Sequence, residues 1–357
     1  MKKIIGMLTA LLLVVTGLGG AWAEDTDRPV IRITVQDTGV LYAELYPETA
    51  PVTVENFLKL TDSGFYDGLT FHRIISGFMV QGGDPLGNGT GGSEENIQGE
   101  FSANGVENPL AHSRGVLSMA RSSDPNSASS QFFIMHADAP HLDGNYAAFG
   151  KVLAGMNVVD ALCRDTPVVD SNGTVEKADQ PVILEVRRVN RAEAEEAAVL
   201  EAQNGQSGIY QDSVLGISFP VPEGWSLQPM DGGSSLTFMP GEGKGMVQVA
   251  VQDLWRRFGS AFRAGMEAEG KKRIDMGTEY FGEKLTQYIS GAGEVAFALT
   301  EYGGIPFYSG ETVSGDDPVW LRIGVADGKL MCFIAIGEDA VEAVDQMTAG
   351  LAVETAE

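Results

Sequence analysis

The sequence predicts two folded units behind an N-terminal leader. The first is a mainly β domain whose sheet closes, or nearly closes, on itself with two helices against its openings; the second is a smaller α+β domain on an antiparallel sheet. Three observations predict this. From Pro29 to about Asn190, the runs VIRITV, LYAELY, FHRII and VILEVRRV alternate as strands do, between clusters of Gly, Asn, Asp, Ser and Pro. Residues 191–208, RAEAEEAAVLEAQNGQSG, then shift to Ala, Glu and finally Gly. Beyond them alternation restarts and is interleaved with helical patches.

Taken in order, residues 1–23 run MKK, an apolar segment centred on LTALLLVVTGLGG, and AWA before Glu24. A positive start, an apolar middle and a small-x-small end make a cleavable signal peptide. The mature chain is therefore expected to begin near Glu24 and to be extracytoplasmic, either secreted or associated with a bacterial cell envelope. Residues 28–190 form the first domain. Its first helix is APVTVENFLKLTDSG, where Pro51 suits the first turn, Val54, Phe57 and Leu58 share a face, and Gly64 ends the run. A shorter helix lies around MNVVDALCR. Residues 191–208 lack an apolar stripe and read as a polar linker, either a short helix or a loose tether. In the second domain, 209–357, Leu215, Ile217 and Phe219 alternate and Pro220 and Pro222 stop the strand. A long helix follows near 253–273, then the strand FALTEYGG, then the hairpin VWLRIGVADGKLMCFIAI with a tight Asp327-Gly328 turn. EDAVEAVDQMTAGLAV closes the chain as a helix.

The formal net charge is −25, and removing Lys2 and Lys3 with the leader takes it to −27. So acidic a chain repels nucleic acid and anionic lipid, and neither is an expected partner. Cys163 and Cys332, one in each domain, read as buried small hydrophobes rather than a disulfide framework.

The stretch FHRIISGFMVQGGD, Phe71 to Asp84, puts an arginine inside an apolar run and places three glycines in a segment that otherwise reads as strand. By alternation, Phe71, Arg73 and Ile75 share one face while His72 and Ile74 take the other; after Gly77, Met79 and Gln81 point one way, Phe78 and Val80 the other. Arg73 keeps its charge, so it must be hydrogen-bonded or open to a groove. Gly82 and Gly83 let the backbone turn sharply or a ligand approach.

These residues, with GVLSMA at 115–120, SQFFI at 130–134, LDGNYAAFGKV at 142–152 and the upstream APVTVENF and FYDGLTFHRI, resemble the cyclophilin family of peptidyl-prolyl cis/trans isomerases. The resemblance covers about Val30 to Asn190. It implies a closed antiparallel eight-stranded barrel capped by two helices, and rotation of Xaa-Pro bonds without cofactor, metal or covalent intermediate. It implies Arg73 as the catalytic residue and a substrate groove of Phe78, Met79, Gln81, Ala120, Arg121, Gln131, Phe133, His141, Leu142 and Tyr146. Partners would be proline-containing peptides and unfolded or secreted proteins. His141 stands where a tryptophan is common and Tyr146 where a histidine is common, so cyclosporin binding is expected to be weakened. Ser76 replaces a frequent proline. The second domain's opening, YQDSVLGISFPVPEGW, weakly resembles PsbP-like domains and implies an adaptor role.

Other readings carry less. A hydrolase would recruit Ser76, His72 and Asp84, but alternation puts His72 on the face opposite Arg73 and no nucleophile elbow surrounds Ser76. The spacing of His72, His112, His136 and His141 matches no metal motif, so they read as structural or groove-lining. GNGTGG, 87–92, lacks the Lys-Ser/Thr of a phosphate loop and reads as a surface loop. The alternative of a different class is a peptide-binding or assembly module whose isomerase activity is incidental. Trp225, Trp255 and Trp320 read as core.

Overall fold

The computed structural model describes residues 28–206, 208–228, 235–282, 284–285 and 295–355. The leader lies outside them. Eight strands form the first sheet: β1 (Val30–Val35), β2 (Gly39–Leu45), β3 (Phe71–Ile75), β4 (Met79–Gly82), β5 (Val116–Met119), β6 (Phe132–Met135), β7 (Ala148–Ala154) and β8 (Ile183–Val189). They hydrogen-bond in the order β3-β4-β6-β5-β7-β2-β1-β8, each described pairing antiparallel. Register shifts at Thr34/Val35, Tyr42/Ala43, Phe71/Arg73 and Leu117/Ser118 bend the strands, and the sheet curls into a half-barrel. At one end its edge strands approach each other: Thr70 bridges Val182, and Ile183 N–H donates to the Leu69 carbonyl at 2.8 Å.

Two helices pack against this sheet. In α1 (Pro51–Asp62), Pro51 occupies the first turn and Val54, Phe57 and Leu58 are buried as the sequence predicts. The buried Glu100 carboxylate accepts the Val52 and Thr53 N–H groups at 3.0 and 2.8 Å, supplying a negative partner to the helix start. Phe57 enters an aromatic cluster, 5.0 Å from Tyr66, 5.4 Å from Phe132 and 5.1 Å from Phe149 between ring centres. The second helix, α2 (Met156–Asp165), buries Val158, Val159 and Leu162 in the same core.

Between the two alternatives for residues 191–208, most of the segment is a helix, α3 (Arg191–Gln203). Ala194 is its buried residue, so apolar packing does not hold it. Charge does: Arg191 pairs with Glu44, Glu193 takes Arg32 at 3.1 Å and the Tyr42 hydroxyl at 3.1 Å, and Glu201 accepts the Gly155 N–H at 2.8 Å.

The second domain has two antiparallel sheets. One is formed by β9 (Gly208–Asp212), β10 (Ile217–Val221) and β18 (Ala352–Val353). The other runs in the order β11-β12-β13-β17-β16-β15-β14, from β11 (Trp225–Leu227), β12 (Ser235–Pro240), β13 (Met246–Asp253), β14 (Ala298–Tyr302), β15 (Ile305–Ser314), β16 (Asp317–Ala326) and β17 (Lys329–Ile336). The closing helix, α7 (Glu338–Ala349), buries Ala340, Ala343, Val344 and Met347 against Phe219 and Phe333. Asp327 and Gly328 both take positive φ, 45° and 68°, as the tight hairpin turn requires. Trp225 is buried, and Trp255 and Trp320 pack against apolar clusters.

Two expectations are corrected. Pro220 does not stop its strand: β18 pairs with Ile217 and Ser218 only, so no ladder bond is asked of the Pro220 nitrogen on that side. The single helix expected near 253–273 is broken into α4 (Leu254–Arg257) and α5 (Gly259–Ala268), since Gly259 has φ +79°. A further short helix is α6 (Thr278–Phe281). The break lets α4 and α5 face the first domain. Asp165 accepts the Asp253 N–H at 3.0 Å, Arg256 donates to the Thr38 hydroxyl at 2.9 Å, and Asp179 takes the Ser260 N–H at 2.7 Å and Arg263 at 2.8 Å.

Candidate active site

The β3–β4–β6 register places Arg73 opposite Gln81 and Gln81 opposite Phe133, a row across three adjacent strands. The half-buried Arg73 donates through Nε to the Asn172 carbonyl at 2.8 Å and through Nη1 to Gln81 Oε1 at 3.2 Å. Gln81 Nε2 donates to Gln131 Oε1 at 2.9 Å, and Gln131 Nε2 to the Gly91 carbonyl at 2.7 Å. One chain of hydrogen bonds thus orients the guanidinium and both amides.

Beside this polar row lies an apolar cluster distinct from the main core. Met79, Phe133 and Leu142 are buried in it, with Phe78, Ala120 and Tyr146 partly buried against them. Exposed His141 stacks on Phe78 with ring centres 5.6 Å apart, and Tyr146 meets Phe133 edge-on at 5.9 Å. Arg121 lies over Tyr146 at 4.7 Å and donates to the Asn145 carbonyl at 3.1 Å, which fixes the groove wall next to Ala120. All eleven residues singled out in the sequence therefore fall on this one polar row, its apolar neighbour and their rim.

The alternation reading needs two corrections. Phe71 does not share a face with Arg73: the register shift between them turns Phe71 into the main core with Ile74, Val80 and Phe132, while Arg73 faces the groove row. Phe78 does not follow Val80 either. It precedes β4 in the turn, outside the strand's two-residue period, and joins the groove cluster. Phe132 enters the core and Phe133 the groove, as alternation predicts. The glycines of the QGGD run serve packing within the protein: a Cβ at Gly82 would lie 2.8 Å from the Thr70 carbonyl, and at Gly83, with φ +80°, 2.6 Å from that of Ser130.

Two features escaped the sequence reading, and a histidine read as structural or groove-lining gains a definite place. The Asn172 carbonyl that holds Arg73 comes from a loop 99 residues away. The 87–92 loop is more than surface: Asp84 gathers the N–H groups of Leu86, Asn88 and Gly89, and a Cβ at Gly91 would collide with its carboxylate at 2.1 Å. Burial opposes the Asp84 charge, but these backbone donors outweigh it and hold the carboxyl below its usual range. Glycine density directly after an aspartate was the available signal. Under Phe133, His112 stacks at 6.1 Å, with Nδ1 2.8 Å from Asp143 and Nε2 3.0 Å from the Ser118 hydroxyl. Burial pushes its pKa down despite Asp143, so the ring is neutral at neutral pH.

Residues 30–188 match the family model for cyclophilin type peptidyl-prolyl cis-trans isomerases. The chain is 50% identical over 122 residues to peptidyl-prolyl cis-trans isomerase B of Bacillus subtilis, covering 34% of this chain and 82% of that relative. This chain belongs to the cyclophilin-type peptidyl-prolyl cis-trans isomerases. It is 49% identical over 127 residues to peptidyl-prolyl cis-trans isomerase-like 3 of Gallus gallus, covering 35% and 77%, and 44% identical over 141 residues to a peptidyl-prolyl cis-trans isomerase of Helicobacter pylori strain J99, covering 39% and 84%. The cyclophilin match ends before α3 and leaves the second domain outside it. The activity that goes with the family is isomerisation of prolyl peptide bonds.

Proposed function

We propose that the groove carries out this isomerisation through Arg73, on unfolded or secreted proteins outside the cytoplasmic membrane. The observation that carries the reading is the adjacency of a hydrogen-bonded arginine row and a separate apolar pocket on the same strands. From the bonds that join the residues before β3 to those at the start of β8, we read the curled sheet as the family's closed barrel.

A prolyl amide resists rotation by about 18–20 kcal/mol because its nitrogen lone pair is delocalised into the carbonyl. As the bond twists, that lone pair localises, and an Arg73 N–H aimed at the nitrogen binds it more strongly than in the planar amide. An interaction that grows toward the transition state is what lowers a barrier. Phe78, Met79, Phe133 and Leu142 hold the pyrrolidine ring, with His141 and Tyr146 at the rim. Gln81, oriented by Gln131, bonds substrate backbone, and the Ala120–Arg121 segment keeps the flanking residue extended. One side of the amide is held while the other turns; no nucleophile, proton transfer or cofactor takes part. The second domain acts as an adaptor that localises the enzyme or captures clients, and the leader directs export.

Titrating the isotope-labelled mature chain with an Ala-Pro tetrapeptide tests the groove. Shifts should concentrate at Arg73, Gln81, Ala120 and Phe133; a response confined to other surfaces overturns the assignment. Export is tested by N-terminal sequencing of the extracytoplasmic protein, which should begin near Glu24.

A further inference from the structure

His136 stands directly behind the groove and takes no part in the mechanism above. The turn Ser76–Phe78 that links β3 to β4 presents Phe78 to the groove, where His141 stacks on it. On its other side the turn is held twice by His136. The His136 backbone N–H donates to the Phe78 carbonyl at 2.9 Å, and the ring Nδ1 accepts the Gly77 N–H at 2.9 Å.

The second bond fixes the tautomer. A nitrogen that accepts from a backbone N–H carries no proton, so the proton of the neutral ring sits on Nε2, which lies 3.2 Å from Asp160 Oδ1, a close electrostatic contact without hydrogen-bond geometry. Asp160 Oδ2 takes Arg114 Nη2 at 2.8 Å, and Arg114 Nη1 returns to the His136 carbonyl at 2.7 Å. These three residues close a ring of contacts in which the His136 and Asp160 side chains are only 6% and 11% exposed. The ring's other side borders a cavity of about 700 Å³ between the two domains, which Tyr210 and Asp212 also line. His136 is thus separated from the groove by the turn it holds, and its effect on substrate must pass through that turn.

We propose that His136 is a positioning residue for the proline pocket: packed beside Asp160, with its backbone carbonyl held by Arg114, its imidazole fixes the Gly77 N–H and thereby the place of the Phe78 ring. The inference rests on the reading of Phe78 as a pocket residue. A backbone amide lost from such a bond frees the turn to shift, and a ring that contacts proline in both the planar and the twisted amide contributes to binding more than to turnover.

The test uses the full mature chain and a tetrapeptide, with KM and kcat measured separately. His136→Leu should raise KM about three- to tenfold while kcat stays within about twofold. His136→Asn places its amide oxygen where Nδ1 stood and should recover most of the loss. His136→Gln reaches only toward the Nε2 position and should not. This Asn and Gln pair carries the test if the leucine variant does not fold. Phe78→Ala should raise KM by itself, and adding His136→Leu to it should change KM little, because both act through one ring. If Phe78→Ala leaves KM unchanged, the pocket reading falls and this inference with it. If Phe78→Ala raises KM but the Asn and Gln variants behave alike, or the double variant shows additive losses, the positioning role alone is overturned.

Discussion

Replacing Arg73 with alanine separates catalysis from stability. A guanidinium has five N–H donors. Among the described residues two of them are used, on the Asn172 carbonyl and Gln81 Oε1, which leaves the others for the groove. Loss of one preorganised donor to a developing charge costs about 3 kcal/mol in the transition state, roughly a hundredfold or more in rate. The folding cost is smaller, because the position is half-buried and water can replace the arginine at both acceptors; about 1 kcal/mol is expected. Arg73→Lys should fall between the two, since a compact ammonium cannot hold the carbonyl and the amide while presenting a planar donor to the substrate. The assay is protease-free cis-to-trans conversion of an Ala-Pro tetrapeptide, with thermal melting alongside. Unchanged turnover in a folded Arg73→Ala protein would refute the mechanism, whatever its effect on peptide affinity.

Further outcomes follow from the neighbouring geometry. Asp84→Asn should destabilise the protein by about 2 kcal/mol, as loss of charge-assisted bonds to three backbone donors does, and should lower kcat/KM through the loop that holds Gln131. Because the folded state holds the Asp84 carboxyl below its usual range, its contribution is complete above about pH 4 and lost as pH falls through the folded value; urea melts should show a shallower acid limb in the variant. His112 is likewise depressed by burial, so its contribution is complete above about pH 6.5 and declines below it; His112→Gln should flatten that part of the stability profile. Cyclosporin should inhibit the native protein less than a His141→Trp variant, and equal inhibition would show that the exposed ring on Phe78 matters little to the drug. A chain covering residues 24–200 should match the full-length protein on a tetrapeptide but melt earlier, since Asp165 loses the Asp253 N–H while keeping Arg164, and Asp179 loses Ser260 and Arg263. It should also lag in refolding a proline-limited protein, and failure on the tetrapeptide while folded would show that the second domain supports the groove.

What was legible in the sequence follows from how each feature is encoded. Alternation by itself parted Phe132 from Phe133, but the groove side chains were readable through the motifs that resemble the cyclophilins, since most of them lie outside the strands. The faces of Phe71 and Arg73 were not, because one extra residue in a strand inverts every face before it without altering composition. The segment 191–203 left helix and tether open since its helix is held by Glu44, Arg32 and Tyr42, ion-pair and hydroxyl partners about 150–160 residues earlier that leave no apolar stripe in the helix itself. The least legible feature is the one nearest the chemistry. Arg73 is held by a backbone carbonyl, and since almost every residue offers the same acceptor, nothing in the name Asn172 could have marked it. What places that carbonyl is the loop: Asp170 takes the Asn172 and Thr174 N–H groups at 2.9 and 3.0 Å, and Arg73 bridges Thr174 across the strand edge. The aim of the donor proposed for catalysis therefore depends on a loop aspartate that never meets the groove, and Asp170→Ala should loosen Arg73 and lower kcat while leaving the apolar pocket, and hence KM, nearly unchanged. A rise in KM at constant kcat would mean that the loop shapes the pocket instead of aiming the arginine.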